Sequence, residues 1–255
     1  MEREEHSRRT DGSFFDHLEA LRGVLLRGLA VYALLFLPAW YFAPKLRDLL
    51  LSFAAPEGFK LHYFSLLEPF FVQLKVALSL ALLVSLPVWL KLLWDFIVPA
   101  LRENERRAGR LPVVAGSFLA AAGASVGIFL ILPAVVRFSL SFVADSLAPV
   151  IGIGGFIDFA LAAALGGALL FQFPLVLLAL VATGVVPLAA LRRKRGEVLV
   201  GLLIAGALLI AGALLTPPDA VSQLLLTLPA YLLFEATLLV ARLLPFRKES
   251  PDERD

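Results

Sequence analysis

The sequence predicts an all-α polytopic membrane protein with six transmembrane helices. Six apolar segments each reach the roughly 18–20 residues that cross a hydrocarbon core about 30 Å thick. None of them alternates with a period of two, as a strand of a transmembrane barrel does. Because backbone amides in lipid have no water to bond, each segment is expected to be a helix. The predicted spans are Val24–Pro44, Phe70–Val98, Leu111–Val136, Phe156–Val186, Val198–Leu215 and Val221–Ala241.

Lysines and arginines predict the orientation of these spans. Sixteen of them precede the first span, follow the sixth, or lie between spans two and three or spans four and five, whereas the other connections contain four. Cytoplasmic loops are enriched in these residues, so both termini are predicted to be cytoplasmic. The whole chain, residues 1–255, is interpreted as one membrane domain, with residues 242–255 as a short cytoplasmic tail.

Composition argues against an enzyme. Hydrophobic residues make up 60% of the chain, more than the roughly 45–50% of soluble domains. The chain has no cysteine, and its histidines, His6, His17 and His62, lie outside the predicted spans. The sequence therefore offers no HExxH pair, no intramembrane Ser–His dyad and no Gly-rich phosphate-binding loop. We expect neither catalysis nor a metal nor another cofactor.

Four of the polar residues inside predicted spans stand out: Lys75, Gln172, Gln223 and Glu235. A charge at the bilayer centre costs about 2.5–3.5 kcal/mol or more, so each calls for a partner or a function. Lys75 lies near the outer end of span two, where its amine can reach the interface. Glu235 has no cation within a turn, so it is protonated, paired across helices or facing water. Gln172 either bonds to a neighbouring helix or binds a partner.

The connection between the last two spans predicts a tight, rigid turn. Its residues are Thr216, Pro217, Pro218 and Asp219. Thr216 suits the N-cap of the last helix and Pro217 its first position, while Asp219 can complete a capping box and face the positive helix end. Span five is just long enough to cross, so this corner is expected at or below the level of the outer headgroups.

Five elements occur in a fixed order along the chain. They are His17-Leu18-Glu19-Ala20-Leu21-Arg22; Glu68-Pro69-Phe70 with Lys75 and Pro87; Trp94, Phe96, Ile97, Pro99 and Leu101 with Glu105-Arg106-Arg107; Phe171-Gln172-Phe173-Pro174; and the hairpin followed by Ser222-Gln223, Pro229, Tyr231 and Phe234-Glu235. In this order they resemble the motifs of the TatC family, the multispanning core of the twin-arginine protein translocase. The last element is similar to the family's carboxy-terminal signature, and the resemblance extends over nearly the whole chain.

The resemblance implies a cupped six-helix bundle in a bacterial or archaeal cytoplasmic membrane. It implies a receptor that binds the twin-arginine signal peptides of folded cargo proteins at the cytoplasmic face. The implied partners are TatA- and TatB-type single-span subunits, further copies of the chain in a larger complex, and the lipid bilayer, but no nucleic acid. Transport in the family is driven by the proton-motive force, without a nucleotide or a cofactor.

The resemblance also implies site residues. Recognition of two arginines needs carboxylates, which pair with guanidinium groups through two parallel bonds. Glu105 matches one family glutamate, whereas the other position holds Ala20 and leaves Glu19 one residue earlier, about 100° away on a helix. Gln172 replaces an intramembrane glutamate and cannot carry charge. The residues implied for signal-peptide binding are Glu105, Glu19, Arg22, Phe96 and Arg106. Those implied for contact with partner helices, or as intramembrane polar residues, are Gln223, Glu235, Gln172, Asp219, Thr216, Pro217 and Pro218. Structural roles are assigned to Pro69, Lys75, Pro87 and Pro99.

Three other functions stay open at this stage. A divergent TatC-like paralogue with altered or lost signal recognition fits the changes at Ala20 and Gln172. A small-solute secondary transporter fits the intramembrane polar residues and the prolines that could break helices around a midplane site. A structural membrane scaffold fits the same departures but requires nothing of Glu105. The prolines in question are Pro38, Pro87, Pro133, Pro174 and Pro229.

Overall fold

The structure is a computed structural model of the 255-residue chain. It describes the backbone of residues 2–54, 61–100, 110–143, 149–182, 185–214 and 220–243. Side chains are described for residues 18–53, 61–99, 110–143, 149–181, 185–187, 189–204, 224 and 227–239.

Helices make up almost all of the described chain. Two short strands, β1 (Leu61–His62) and β2 (Ile151–Gly152), pair in parallel in the connections that precede α2 and α5. The helices are α1 (Glu2–Ala54), α2 (Glu68–Ile97), α3 (Leu111–Val126), α4 (Leu132–Leu140), α5 (Ile153–Leu170), α6 (Phe173–Ala182), α7 (Leu188–Arg193), α8 (Arg195–Leu214) and α9 (Ala220–Leu243).

Helices coincide with all six predicted spans, although their ends differ. Within the described residues, four helical segments are long and apolar enough to cross a membrane. α1 extends well beyond the predicted first span at both ends and continues through Pro38 and Pro44. Prolines also lie inside α2 and α9, at Pro87 and Pro229, without ending either helix. The four segments are Leu18–Phe53, Glu68–Ile97, Leu111–Leu140 and Ile153–Val181.

Two other prolines do coincide with changes in helical geometry. Pro133 has no N–H and its ring crowds the preceding turn; the chain accommodates it with a π-helical turn, Gly127–Ile131, between α3 and α4. Pro174 follows a break between α5 and α6, where the Gln172 N–H donates to the Leu169 carbonyl at 3.0 Å. The predicted span Phe156–Val186 is therefore two helices, and the second ends at Ala182.

Glycines allow α3 and α5 to touch backbone to backbone. A methyl group on Gly123 would overlap the Gly167 carbonyl, and one on Gly127 would overlap the Ala163 carbonyl. Such close approach between helices is how small residues stabilise contacts in lipid. This close approach and the many buried residues of α5 place that helix at the centre of the bundle. The buried residues on α5 include Phe156, Ile157, Phe159, Ala160, Leu161, Ala164, Ala168 and Leu170.

α1 and α2 pack against each other as antiparallel neighbours. Gly28 faces the Trp89 ring so closely that a methyl group there would overlap it. Further along, Gln73 Nε2 donates to the Trp40 carbonyl at 3.0 Å. The part of α1 around Arg22 therefore lies beside the end of α2. We call this end of the bundle the basic end, because Arg22, Arg110 and the arginines of α7 and α8 lie there, and the other end the distal end.

Candidate functional site

Three of the residues assigned to signal-peptide binding, Glu19, Arg22 and Phe96, lie at the basic end. Continuing the α1–α2 register toward the start of α1 brings Glu19 level with the last turn of α2, where Phe96 is half-buried. Glu19 and Arg22 are both exposed. α1 is continuous through this region, so Glu19 keeps its 100° offset from Ala20. The basic end therefore presents an exposed carboxylate beside a partly exposed aromatic ring.

The loop that follows α2 lies outside the described residues, and with it Glu105 and Arg106. α2 passes into a short 3₁₀ turn, Val98–Ala100, which contains the exposed Pro99. Glu105 is five residues beyond Ala100, a distance of at most about 18 Å along an extended chain.

The distal end contains a cluster of three charged side chains. The Glu68 carboxylate accepts hydrogen bonds from the N–H groups of Phe64 at 2.6 Å, Ser65 at 3.2 Å and Gly154 at 2.9 Å. Lys75 Nζ contacts both oxygens of Asp158, at 2.7 and 2.8 Å. The cluster joins the start of α2 to the start of α5.

Lys75 therefore has a partner and does not stand alone in span two. Its side chain is 47% exposed and that of Asp158 is 38% exposed. Asp158, the third residue of the predicted fourth span, was not identified as a site residue from the sequence. Pro69, at the second position of α2, is exposed and lies next to Glu68.

Gln172 lies at the break between α5 and α6 and is 8% exposed. Its Nε2 donates to the Gly116 carbonyl at 3.0 Å and, at 3.4 Å, to the Ala168 carbonyl. Its Oε1 has no hydrogen-bond partner among the described residues. Of the two roles considered for Gln172, the structure shows the bond between helices. An amide donates at every pH, whereas a carboxyl group donates only when protonated.

Glu235 is paired across helices. Its Oε2 lies 3.1 Å from Arg195 Nη2 at the start of α8, and its Oε1 accepts a hydrogen bond from the Tyr231 hydroxyl at 3.1 Å. Of the three environments considered for Glu235 (protonated, paired across helices or facing water), the structure shows the pairing across helices. Sequence analysis found no cation within a turn on the same helix; Arg195 comes from the neighbouring one.

The remaining partner-helix residues are described only in part. Gln223 lies in the first turn of α9, three residues after it begins at Ala220, and its side chain is outside the described part. The turn residues before α9 also lie outside it; these are Thr216, Pro217, Pro218 and Asp219. Within the residues that are described, no group of three or more His, Asp or Glu side chains is arranged to hold a metal ion.

Comparison with known proteins decides the family. The sequence model described as "Sec-independent protein translocase protein (TatC)" matches residues 16–229 of the chain. The chain belongs to the TatC family. The TatC protein of Azotobacter chroococcum is 34% identical over 223 residues, which cover 86% of this chain and 85% of that protein. The Escherichia coli K12 TatC is 31% identical over 229 residues, with coverages of 89% and 86%.

The fold comparison agrees with the sequence comparison. A crystal structure of the twin arginine translocase receptor TatC superposes with a TM-score of 0.76 and 27% identity, covering 88% of this chain and 98% of that one. The resemblance found in the motifs is thus confirmed over most of the chain. This chain is a membrane protein of the Sec-independent protein translocase, a protein-transport family and not a family of catalytic enzymes.

Proposed function

We propose that this chain is the multispanning receptor of a twin-arginine translocase. In this role it binds the twin-arginine signal peptides of folded cargo at the cytoplasmic face of the inner membrane and works with TatA- and TatB-type subunits, driven by the proton-motive force. The observation that carries the proposal is the match to a twin arginine translocase receptor across 88% of the chain. The exposed Glu19 and half-buried Phe96 at the basic end support it.

Carboxylates at the basic end are the chemistry that this role requires. Two consecutive arginines present planar guanidinium groups, each of which can form two parallel bonds to a carboxylate, a geometry that lysine does not reproduce. We assign the principal contact to Glu105, with Glu19, Arg22, Phe96 and Arg106 around it.

Site-specific photocrosslinking tests this assignment. A twin-arginine signal peptide and its twin-lysine counterpart are presented to the wild-type chain in membranes and to Glu105→Ala. Crosslinks should require both the arginines and Glu105. Glu103→Ala is the matched control, because it removes the same charge from the same loop two residues away. If a correctly inserted protein crosslinks equally to the twin-arginine and twin-lysine peptides, the receptor function is rejected. That result would favour a paralogue that has lost signal recognition.

The proposed topology has six spans and two cytoplasmic termini. It can be tested cleanly because the chain has no cysteine of its own. Single cysteines at Ser7 and Ser250 should resist a membrane-impermeant maleimide in intact cells, whereas one at the exposed Ser65 should react. Labelling at Ser7 without permeabilisation would contradict the orientation.

We further propose that the last hairpin receives partner helices. Gln223 is the polar contact, and the turn of Thr216, Pro217, Pro218 and Asp219 holds α9 in place. A hydrogen bond to a polar residue of a partner helix is worth roughly 0.6–2 kcal/mol in lipid. Crosslinking from position 223 to TatA-type subunits should exceed crosslinking from the buried Thr227 one turn away. Equal, negative results at both positions would reject this contact.

A further inference from the structure

Glu235 holds a guanidinium group in the structure, and that group belongs to the chain itself. The carboxylate lies on α9, eight residues before the helix ends at Leu243, or about 12 Å along its axis. Arg195 reaches it from the first position of α8. The two side chains meet at the basic end, where α8 and α9 run antiparallel.

The pair does not use all the bonds that its two groups can form. One guanidinium nitrogen meets one carboxylate oxygen, and the second oxygen is taken by the Tyr231 hydroxyl. Arg195 Nε is buried and has no acceptor among the described residues. A planar guanidinium group that approaches a carboxylate squarely makes two parallel bonds. Arg195 therefore forms fewer bonds to Glu235 than an arginine that approaches the carboxylate squarely could form.

The carboxylate can be reached from outside the bundle. The Glu235 side chain is 32% exposed and that of Arg195 is 42% exposed. Both line a cleft whose other walls are Ala236, Leu238 and Leu239. The cleft thus offers one carboxylate beside an apolar wall, which suits an arginine side chain with an apolar neighbour in an extended peptide.

The positive charges near Glu235 favour the replacement of Arg195 over the binding of an additional cation. Arg192 and Arg193 are exposed at the end of α7, just before Arg195, and Lys194 pairs with Glu197 at 2.8 Å. A further cation entering this region is repelled by these charges unless one cation leaves. An incoming arginine that displaces Arg195 leaves the local charge unchanged, and the released Arg195 can extend toward the headgroups.

We propose that Glu235 is a guanidinium-binding carboxylate that the chain keeps occupied with Arg195, and that an arginine of a twin-arginine signal peptide replaces Arg195 there. The inference rests on the proposed receptor function. It gives the receptor a further carboxylate for the pair of arginines, beside Glu105 and Glu19, in a chain that has Ala20 where the family resemblance implies a glutamate. Arg195 then acts as an internal competitor for the site.

The test measures the affinity of a twin-arginine peptide, with a twin-lysine peptide for comparison, for the full-length chain in nanodiscs. Arg195→Gln removes the competitor and should tighten arginine-dependent binding about fivefold, whereas Glu235→Gln should weaken it by a similar factor, as expected for one partly exposed ion pair. The opposite signs are the signature of exchange. A purely structural pair would move both variants in the same direction.

Arg193→Gln is the matched control, because it removes the same charge from the same end without touching Glu235. If Arg195→Gln raises the affinity for the twin-arginine peptide no more than Arg193→Gln does, the effect comes from the loss of any nearby positive charge. That result would overturn the inference. Tighter binding cannot result from a loss of folded protein, so Arg195→Gln decides even if Glu235→Gln folds poorly. If binding depends on Glu105 but is unchanged by Arg195→Gln and by Glu235→Gln, this inference is overturned and the receptor function stands. If the wild type binds the twin-arginine and twin-lysine peptides equally, this inference and the receptor function are both rejected.

Discussion

Among the described residues, two ion pairs join helices, and they differ in how completely they are bonded. At the distal end, Lys75 contacts both oxygens of Asp158, at 2.7 and 2.8 Å. At the basic end, Arg195 contacts one oxygen of Glu235 at 3.1 Å. In the first pair the ammonium bonds to both carboxylate oxygens, whereas in the second the guanidinium group is left with a buried Nε that has no acceptor among the described residues.

The difference indicates separate roles for pairs that would look alike in a sequence. Lys75 and Asp158 fasten the starts of α2 and α5 together, with the Glu68 hydrogen bonds beside them. Their cost of removal from water is offset only while both are present. Arg195 and Glu235 lie beside a cleft at the end of the bundle where the proposed ligand arrives. Complete bonding suits a structural contact, and incomplete bonding suits an exchangeable one.

Removing Asp158 should have the largest effect on stability. Asp158→Ala leaves the Lys75 ammonium unpaired within the second span. We expect a loss of about 1–2 kcal/mol, more than for an exposed pair and less than for a buried one, because the side chains are 47% and 38% exposed. Glu235→Ala should cost less, since the Arg195 it leaves behind lies at the basic end and can extend to the headgroups. Thermal unfolding of the purified protein in detergent compares the two.

A double substitution separates charge from packing in that experiment. Lys75→Met with Asp158→Leu removes both charges and keeps similar volumes, and such replacements of paired charges are often neutral. We expect a melting temperature close to that of the wild type. If the double variant is as unstable as Asp158→Ala, the pair has a role beyond mutual neutralisation, and the contrast with the basic end is wrong.

Removing Glu68 should have the next largest effect. Its carboxylate accepts three backbone N–H groups from the chain before α2 and from Gly154 at the start of α5. Glu68→Ala leaves these donors without that acceptor. We expect a lower melting temperature than the wild type but a smaller drop than for Asp158→Ala. Glu68→Gln retains one acceptor oxygen and should fall between Glu68→Ala and the wild type; a drop equal to that of Glu68→Ala would mean that the charge, and not the hydrogen bonds, matters.

Gln172 provides a pH-dependent test of a contact that contains no charge. In Gln172→Glu the side chain can donate to the Gly116 carbonyl only while protonated. Stability should therefore be highest at low pH and fall as the pH rises, by about 1 kcal/mol between pH 5 and pH 8, the worth of a hydrogen bond between helices. Gln172→Met, of similar size and without a donor, should lose stability equally at both pH values. A flat profile for Gln172→Glu would contradict the assigned bond.

Sequence could predict most of the helices because apolar length is a local property. Each predicted span needed only its own residues, and a helix coincides with every one. Pro87 shows the limit of that reasoning: α2 passes through it unbroken, whereas Pro174 follows a break. Whether a proline bends or ends a helix depends on what its neighbours bond to, which is not visible in the residue itself.

Partners of charged residues could not be predicted, because they come from distant parts of the chain. Lys75 and Asp158 are 83 residues apart, and Gln172 meets a carbonyl 56 residues away. A signal was available for Asp158, a charge inside an apolar segment with a lysine at similar depth in another span. No comparable signal linked Glu235 to Arg195. In the sequence, Arg195 is one of the basic loop residues that predict the orientation, so nothing marks it as the partner of a carboxylate in another helix.

The smallest effect should come from the exposed pair at the basic end. Lys194 contacts Glu197 at 2.8 Å, but their side chains are 53% and 69% exposed. Pairs of this kind on a helix contribute roughly 0.2–0.5 kcal/mol and are screened by salt. Glu197→Ala should therefore leave the melting temperature nearly unchanged at 150 mM salt. Because Glu197 lies two residues from Arg195, a large loss would show that neighbouring charges hold Arg195 in place, and the exchange proposed at Glu235 would then have to include Glu197.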